Sequence, residues 1–290
     1  MFSTLLLWAW LWPGLVGALR PTPIPEIKEE SLKSAFEGSV MVKKLFREGR
    51  RLGHTVWMKR SPGKIKAKYF ACGEVNKRYE EWKANRKIVM ACSGAFTTND
   101  FGRPLPVGLT VDNGLVVNKQ TNEEMDGLVL VYGTGGVAVS DIEVGDLYLQ
   151  SLNKTVDVRE AWDKFELLKW AEKEEATIFQ TQLLAFKDNL RLEVEKARKN
   201  LRERRLLVLA RDAQKMLYHI IFDIEESVYL GDIAQDVLQY LQGQKMTVTA
   251  ILNLDTGWYN QINVYDEQKQ SLLEHNPDKY PTNLLVYYYE

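Results

Sequence analysis

The sequence predicts an α+β fold: a single domain with a mostly antiparallel sheet and two or three helices packed on it. Three observations carry this. Apolar runs of strand length, rich in β-branched and aromatic residues, recur along most of the chain. Several are joined by tight Gly-containing turns, which make antiparallel neighbours. Only a few segments keep helical spacing. The 290 residues suffice for one large domain or two small ones. With 45% hydrophobic and 27% charged residues the balance is that of a globular chain. The 38 basic and 39 acidic residues leave no excess charge to suggest nucleic acid as a partner.

Residues 1–18 stand apart. Leu5 to Trp12 is unbroken apolar sequence, Pro13-Gly14 ends it, and Val16-Gly17-Ala18 has the small residues of a cleavage site. This predicts a signal peptide and an exported protein, periplasmic or extracellular. A retained N-terminal membrane anchor is the alternative, and membrane association would run through this segment alone. No basic residue precedes the apolar run, which is short for a span and holds Pro13. Residues 19–45 read as a Pro-rich lead and a short helix, with Leu32, Phe36, Val40 and Val42 at mixed helical spacing and Gly38 weakening it. The main domain is assigned to 46–290.

Strands are expected at 53–60 and 65–71, a helix at 74–84, and a short buried strand from Ile88 to Ala91. That strand delivers the small-residue loop Cys92 to Asp100. Cys72 and Cys92 each end an apolar run; they either pair, as an exported chain allows, or are two small buried residues. Two cysteines and three scattered histidines offer no metal-ligand spacing. Within 104–118, Asp112-Asn113-Gly114 between apolar runs marks a hairpin. Gly133 to Gly136 joins two more strands; it lacks the Lys-Ser/Thr of a phosphate loop and the spacing of a dinucleotide fingerprint.

Asp157 to Ala176 reads as a helix with Trp162, Phe165, Leu168 and Ala171 on its core side. Residues 178–194 fit a helical stripe or a hairpin equally. Arg198 to Arg205 is a basic cluster of the kind usually found on a solvated helix end. Strands follow at 206–210 and 217–222; His219, in the second, reads as a satisfied core residue. Asp232 to Gln242 is an amphipathic helix with Ile233, Val237, Leu238 and Leu241 on one face and Gly243 as its stop. The last strands are 248–252, 259–265 and 284–289.

The strand at 248–252 runs into Asn253-Leu254-Asp255-Thr256-Gly257. Two positions apart in extended chain, Asn253 and Asp255 share one side, and a strand end is where side chains leave the core to meet a ligand. The alternative is that both merely cap a turn.

The ordered motifs from about 85 to 265 resemble the phosphodiester glycosidase domain family, which includes the uncovering enzyme of the mannose 6-phosphate pathway. Cys92-Ser93-Gly94-Ala95-Phe96 stands where members carry Asn-Gly-Gly-aromatic-Phe, with Gly94 and Phe96 matching but not the Asn. PVGLTVDNGLVV matches the strand–turn–strand that comes after it. Phe179-Gln180-Thr181-Gln182 looks like the Gln-Ser/Thr segment, which favours a hairpin at 178–194. Arg204 or Arg205 stands for the arginine that opens the next strand. Asn253-Leu254-Asp255-Thr256-Gly257-Trp258 stands for Asn-Leu-Asp-Gly-Gly-Gly, with a single glycine left.

The resemblance implies a hydrolase acting on a sugar phosphodiester or related charged glycan. Asp255 would serve as the catalytic carboxyl group, and Arg204 or Arg205 would hold the phosphate, with the Ser93-Gly94 backbone assisting. Asn253, Gln180, Thr97 and Trp258 would hold the sugar. No cofactor is implied; a divalent cation shared by Asp255 and Asp223 is a further option. An inactive relative that binds surface glycan or a partner protein is the second reading, and a ligand-free structural envelope protein the third.

Overall fold

Alternation of buried and exposed residues sorts most of the chain into strands in the computed structural model, which describes residues 26–61, 63–99, 103–145, 147–277 and 279–290. The signal-peptide reading of 1–18 lies outside those residues. A 12-stranded sheet carries nine strands in one continuous order: Ile27–Ala35, Val40–Arg47, Arg50–Lys59, Leu217–Val228, Arg202–Arg211, Thr247–Leu254, Thr177–Phe186, Gly127–Val131 and Val137–Asp141. A five-stranded sheet has the order Ser271–His275, Ile262–Tyr265, Lys87–Ser93, Leu284–Tyr289 and Ile65–Phe70. Every neighbouring pair in these orders is antiparallel.

The two sheets pack face to face. Leu207, Leu209, Ala250 and Leu252 of the large sheet share one core with Met90, Cys92, Leu285 and Tyr287 of the small one. Period-two patterning forces the intervening residues outward, and each outer face is covered by a helix. Leu206, Val208 and Ile251 meet Ile233, Val237 and Leu241 of α3 (Leu230–Gly243). Leu284 and Val286 meet Val75 and Tyr79 of α1 (Val75–Lys83). The third helix, α2 (Ala161–Lys173), buries Leu167, Trp170 and Ala171 against Leu128, Leu130 and Ile178. The described chain is thus mostly antiparallel strand with three helices, in line with the expected class.

Three local expectations are corrected, and the open question of the cysteines is settled. Residues 26–46 form two strands of the large sheet, not a helix. Val40 and Val42, two apart and buried, set the period, and Phe36-Glu37-Gly38 turns the chain with φ of 52°, 55° and 80°. Trp162 and Phe165 face solvent, 67% and 50% exposed, because the buried stripe of α2 runs through the residues C-terminal to them. Gly243 lies inside α3, and the left-handed position after it is Lys245. Cys72 and Cys92 are both free thiols; Cys92 is enclosed in the core, where burial pushes its pKa up to about 12. His219 is buried as expected, with Nδ1 2.8 Å from the Tyr287 hydroxyl and burial holding it neutral.

Two strands of the large sheet approach each other closely behind Asp223. Gly53 lies opposite Ile224 with φ of +155°, and a Cβ there would stand 2.0 Å from the backbone oxygen of Asp223. Only hydrogen fits, so Gly53 lets the strand bearing Asp223 sit where it does. Gly53→Ala is expected to destabilise the chain by on the order of 2–3 kcal/mol in urea unfolding, with an unchanged m-value. A change below about 0.5 kcal/mol would show that the strands separate freely there.

Candidate functional site

The neighbouring arginines of Arg202–Arg211 separate because successive side chains in a strand leave opposite faces. Arg205 follows Leu207 and Leu209 into the space between the sheets. It is fully buried, and its Nε and Nη2 donate to Asp223 Oδ1 at 3.0 and 2.8 Å. Nη2 also donates to Asn260 Oδ1 at 2.7 Å, and Nη1 to the Gln261 carbonyl at 2.7 Å. Every arm of this guanidinium is spent inside the protein.

Arg204 leaves on the α3 side of the sheet. It is 8% exposed, yet its partner is only the Asn200 carbonyl, which accepts from Nη2 at 2.8 Å; Nε is buried with no hydrogen bond. Among the described residues no carboxylate pairs with it. Burial, with Arg202 nearby, lowers its pKa to about 10.

The adjacent strand, Thr247–Leu254, brings in Asn253 and Asp255. Cross-strand register sets Asn253 opposite Gln182 on one side and Leu206 on the other. Its Nδ2 donates to Gln182 Oε1 at 2.8 Å, while Oδ1 is buried without a donor. Asp255 follows the strand end. Its N–H donates to the Gly94 carbonyl at 3.0 Å, and its Oδ1 accepts the Gly257 N–H at 3.0 Å. Burial, the largest influence, raises the Asp255 pKa against the opposing pull of Gly257, Arg205 and Thr97. Thr97 is itself held by Thr282, with the two hydroxyl oxygens 2.7 Å apart.

These residues open onto two adjoining hollows of about 430 and 490 Å³ that share Phe96, Arg202 and Arg204 in their walls. The first adds Gln182, Asn253 and Asp126; the second adds Asp255, Gly257 and Trp258. Trp258 is 65% exposed at the rim, with Lys279 Nζ 4.2 Å from its ring centre. The named side chains join two cations, two carboxyl groups of raised pKa, two amides and two aromatic rings.

Other residues expected at the site are placed elsewhere. Gln180 is enclosed: Oε1 accepts from Leu109 and Asn122 N–H, and Nε2 donates to the Asn122 and Met125 carbonyls. Ser93 Oγ donates to the Tyr259 carbonyl and accepts the Gln261 N–H. The Gly94 N–H, expected to face a phosphate, donates to Asn283 Oδ1 at 3.1 Å, and a Cβ there would meet the Tyr69 ring at 2.7 Å. Ser93 and Gly94 therefore fasten the loop that carries Asp255. Asp223, the second residue considered for a cation, has Oδ1 occupied by Arg205; among the described residues no group of three or more His, Cys, Asp or Glu is placed to hold a metal ion.

Gln182, Arg202 and Asp126 enter the site without having been singled out from the sequence. Gln182 is fixed by its pairing with Asn253, a register that local pattern does not contain. Asp126 sits in an acidic turn, Glu123-Glu124-Met125-Asp126-Gly127, that reads as solvated.

No family model and no curated protein sequence matches this chain. Solved structures do. The zebrafish N-acetylglucosamine-1-phosphodiester alpha-N-acetylglucosaminidase catalytic domain, auto-inhibited by its pro-peptide, aligns with a TM-score of 0.50 at 13% identity. The alignment covers 93% of this chain and 85% of that one. A hypothetical protein from Synechocystis aligns with a TM-score of 0.47 at 12% identity, over 91% of this chain and 62% of that one. The fold is similar to that of a glycosidase catalytic domain. At such identities the likeness concerns the fold alone.

The two arginines are expected to behave oppositely when each is replaced by Met. Arg205→Met strands Asp223 in the interior and should cost about 3–5 kcal/mol in urea unfolding. Arg204→Met keeps the apolar stem and removes a buried charge that lacks a counter-ion, so stability should stay within about 0.5 kcal/mol or rise. The reverse order of costs would overturn the assignment of Arg205 as a structural ion-pair partner and of Arg204 as a buried cation without one.

Proposed function

We propose that the chain is an exported hydrolase that cleaves a sugar phosphodiester or a related charged glycan linkage. One observation carries this reading: Arg204, buried without a carboxylate partner, lines the same hollow as Asp255, whose carboxyl group is pushed up by burial. A guanidinium with no carboxylate partner in a cleft suits a ligand anion, and a carboxyl group whose proton affinity is raised by burial suits general acid–base work. The fold likeness to a protein named as a phosphodiester glycosidase supports the class.

In this reading the phosphate lies against Arg204 and Arg202, and the sugar lies over Asn253 and Gln182 with Trp258 at the rim. Asp255 supplies a proton to the leaving oxygen or takes one from the attacking water. The bond from the anomeric carbon to the phosphate oxygen breaks, and that oxygen keeps the electron pair as part of a phosphate monoester. Water gives its hydroxyl to the anomeric carbon and its proton to the base. The Gly257 N–H holds the carboxyl group, and the Gly94 carbonyl holds the Asp255 backbone N–H. Export rests on residues 1–18; among the described residues no helix is long and apolar enough to cross a membrane.

A glycan-binding relative without turnover is the second reading, favoured by the exposed Trp258 and by the glycine run cut to Gly257. Asp255→Asn separates the two. A raised Asp pKa means that this group's contribution to stability is present below its unfolded value and is lost as pH rises through the folded value. Near pH 7 the ionised Asp255 is therefore a cost, so the Asn variant should melt at the wild-type temperature or above it. Its hydrolysis of sugar 1-phosphodiesters should fall by about a hundredfold or more. Hydrolysis at the parent rate would remove Asp255 from the chemistry.

A further inference from the structure

Strand order arranges the first hollow's charges in sequence. Arg202 and Arg204 lie on Arg202–Arg211, Asn253 on the neighbouring strand, and Gln182 on the next. Asp126 immediately precedes the strand after that, Gly127–Val131, and Glu143 follows the last one, Val137–Asp141. Crossing the sheet therefore leads from cations through two amides to carboxylates. The hollow is lined by all of these residues. Three strand spacings separate Arg204 from Asp126, about 14 Å between backbones, and their side chains close part of it, leaving room for about one sugar ring.

The two ends differ in how far their charge is already met. Arg191 neutralises part of the acidic end, with Nε 2.7 Å from Asp141 Oδ2 and Nη2 3.0 Å from Glu143 Oε2. Asp126 receives no such partner: its Oδ1 accepts the Leu183 N–H at 2.8 Å, and burial with Glu143 and Asp141 nearby raises its pKa. At the basic end Arg204 Nε is unpartnered, and in the middle so is Asn253 Oδ1; both side chains are more than nine-tenths buried. Among the described residues, then, Arg204 has no anion at one end of the hollow, and Asp126, beside the Arg191 pairs, has no cation of its own at the other.

We propose that this hollow selects a zwitterionic sugar phosphodiester, its phosphate at Arg204 and Arg202 and an ammonium group at Asp126. The inference rests on the hydrolase reading and names its substrate class. The ammonium can belong to the sugar, as an unacetylated 2-amino group, or to the esterified alcohol, as in ethanolamine. A carboxylate accepts hydrogen bonds and donates none, so an ammonium meets Asp126 with three donors and an opposite charge, where an acetamide offers one neutral N–H and must place its carbonyl elsewhere.

The test compares three diesters with the full mature chain at pH 7: a 2-amino-2-deoxyhexose 1-(methyl phosphate), its N-acetylated counterpart, and a hexose 1-phosphoethanolamine. At least one amine-bearing diester should exceed the acetylated one in kcat/KM by about tenfold or more, and the better of the two locates the ammonium. Asp126→Asn, which keeps an oxygen to accept the Leu183 N–H, should bring that ratio towards one. Equal or better turnover of the acetylated diester by the wild-type chain overturns the inference on its own. If no diester is hydrolysed, the hydrolase reading falls, and calorimetry with the same three compounds decides the charge assignment. Preferential binding of an amine-bearing diester sustains it, and the absence of preference ends it.

Discussion

The Arg205–Asp223 ion pair is the fixed point from which the site hangs. A guanidinium in the space between two sheets costs several kcal/mol in lost hydration unless geometry and hydrogen bonds offset it. Here one carboxylate oxygen, the Asn260 amide and the Gln261 carbonyl meet all its arms. The same contacts tie the 260–261 segment to the centre of the large sheet. Ser93 grips that segment from the small sheet, through Tyr259 and Gln261. Gly53 permits the strand spacing behind Asp223. Asp255 lies between Leu254, at the strand end, and this anchored segment, so its position follows from the ion pair.

Against that rigid background, the features on which the proposed function rests are the unfinished ones. Arg204 and Asn253 keep polar atoms buried without partners, in a fold where such atoms usually find them. Asp255 has several donors but is still held towards its protonated form by burial. These costs lie on one side of the large sheet and on or just past two neighbouring strands, Arg202–Arg211 and Thr247–Leu254. Stability is sacrificed where a ligand would restore it, which is the usual signature of a binding or catalytic cleft.

How much of the fold and site could be read in the chain depends on the range over which each feature is decided. Asn113-Gly114 declares its hairpin because two residues suffice to set a turn, and φ of 52° and 81° are what they adopt. Helix α3 declares itself by Ile233, Val237, Leu238 and Leu241 on one face. The segment 26–46 misleads because Leu32, Phe36 and Val40 mimic helical spacing, whereas sheet pairing, a long-range event, decides the outcome. Asp255 and Asn253 were visible as polar residues at a strand end. Whether Arg204 or Arg205 lines the hollow was not, since that depends on strand parity against a partner sheet. Gln180 and Gln182 exchange roles for the same reason: the first is enclosed by Leu109, Asn122 and Met125, and the second meets Asn253 across the register.

Arg204 lacks a counter-charge inside the protein because, on the reading proposed, a ligand anion supplies one. The most direct test is the melting temperature of the full chain with increasing hexose 1-phosphate. Linkage predicts a rise that grows with the logarithm of ligand concentration above Kd, and that is lost in Arg204→Met. The same rise in the Arg204→Met variant as in the wild-type chain would contradict the role given to Arg204.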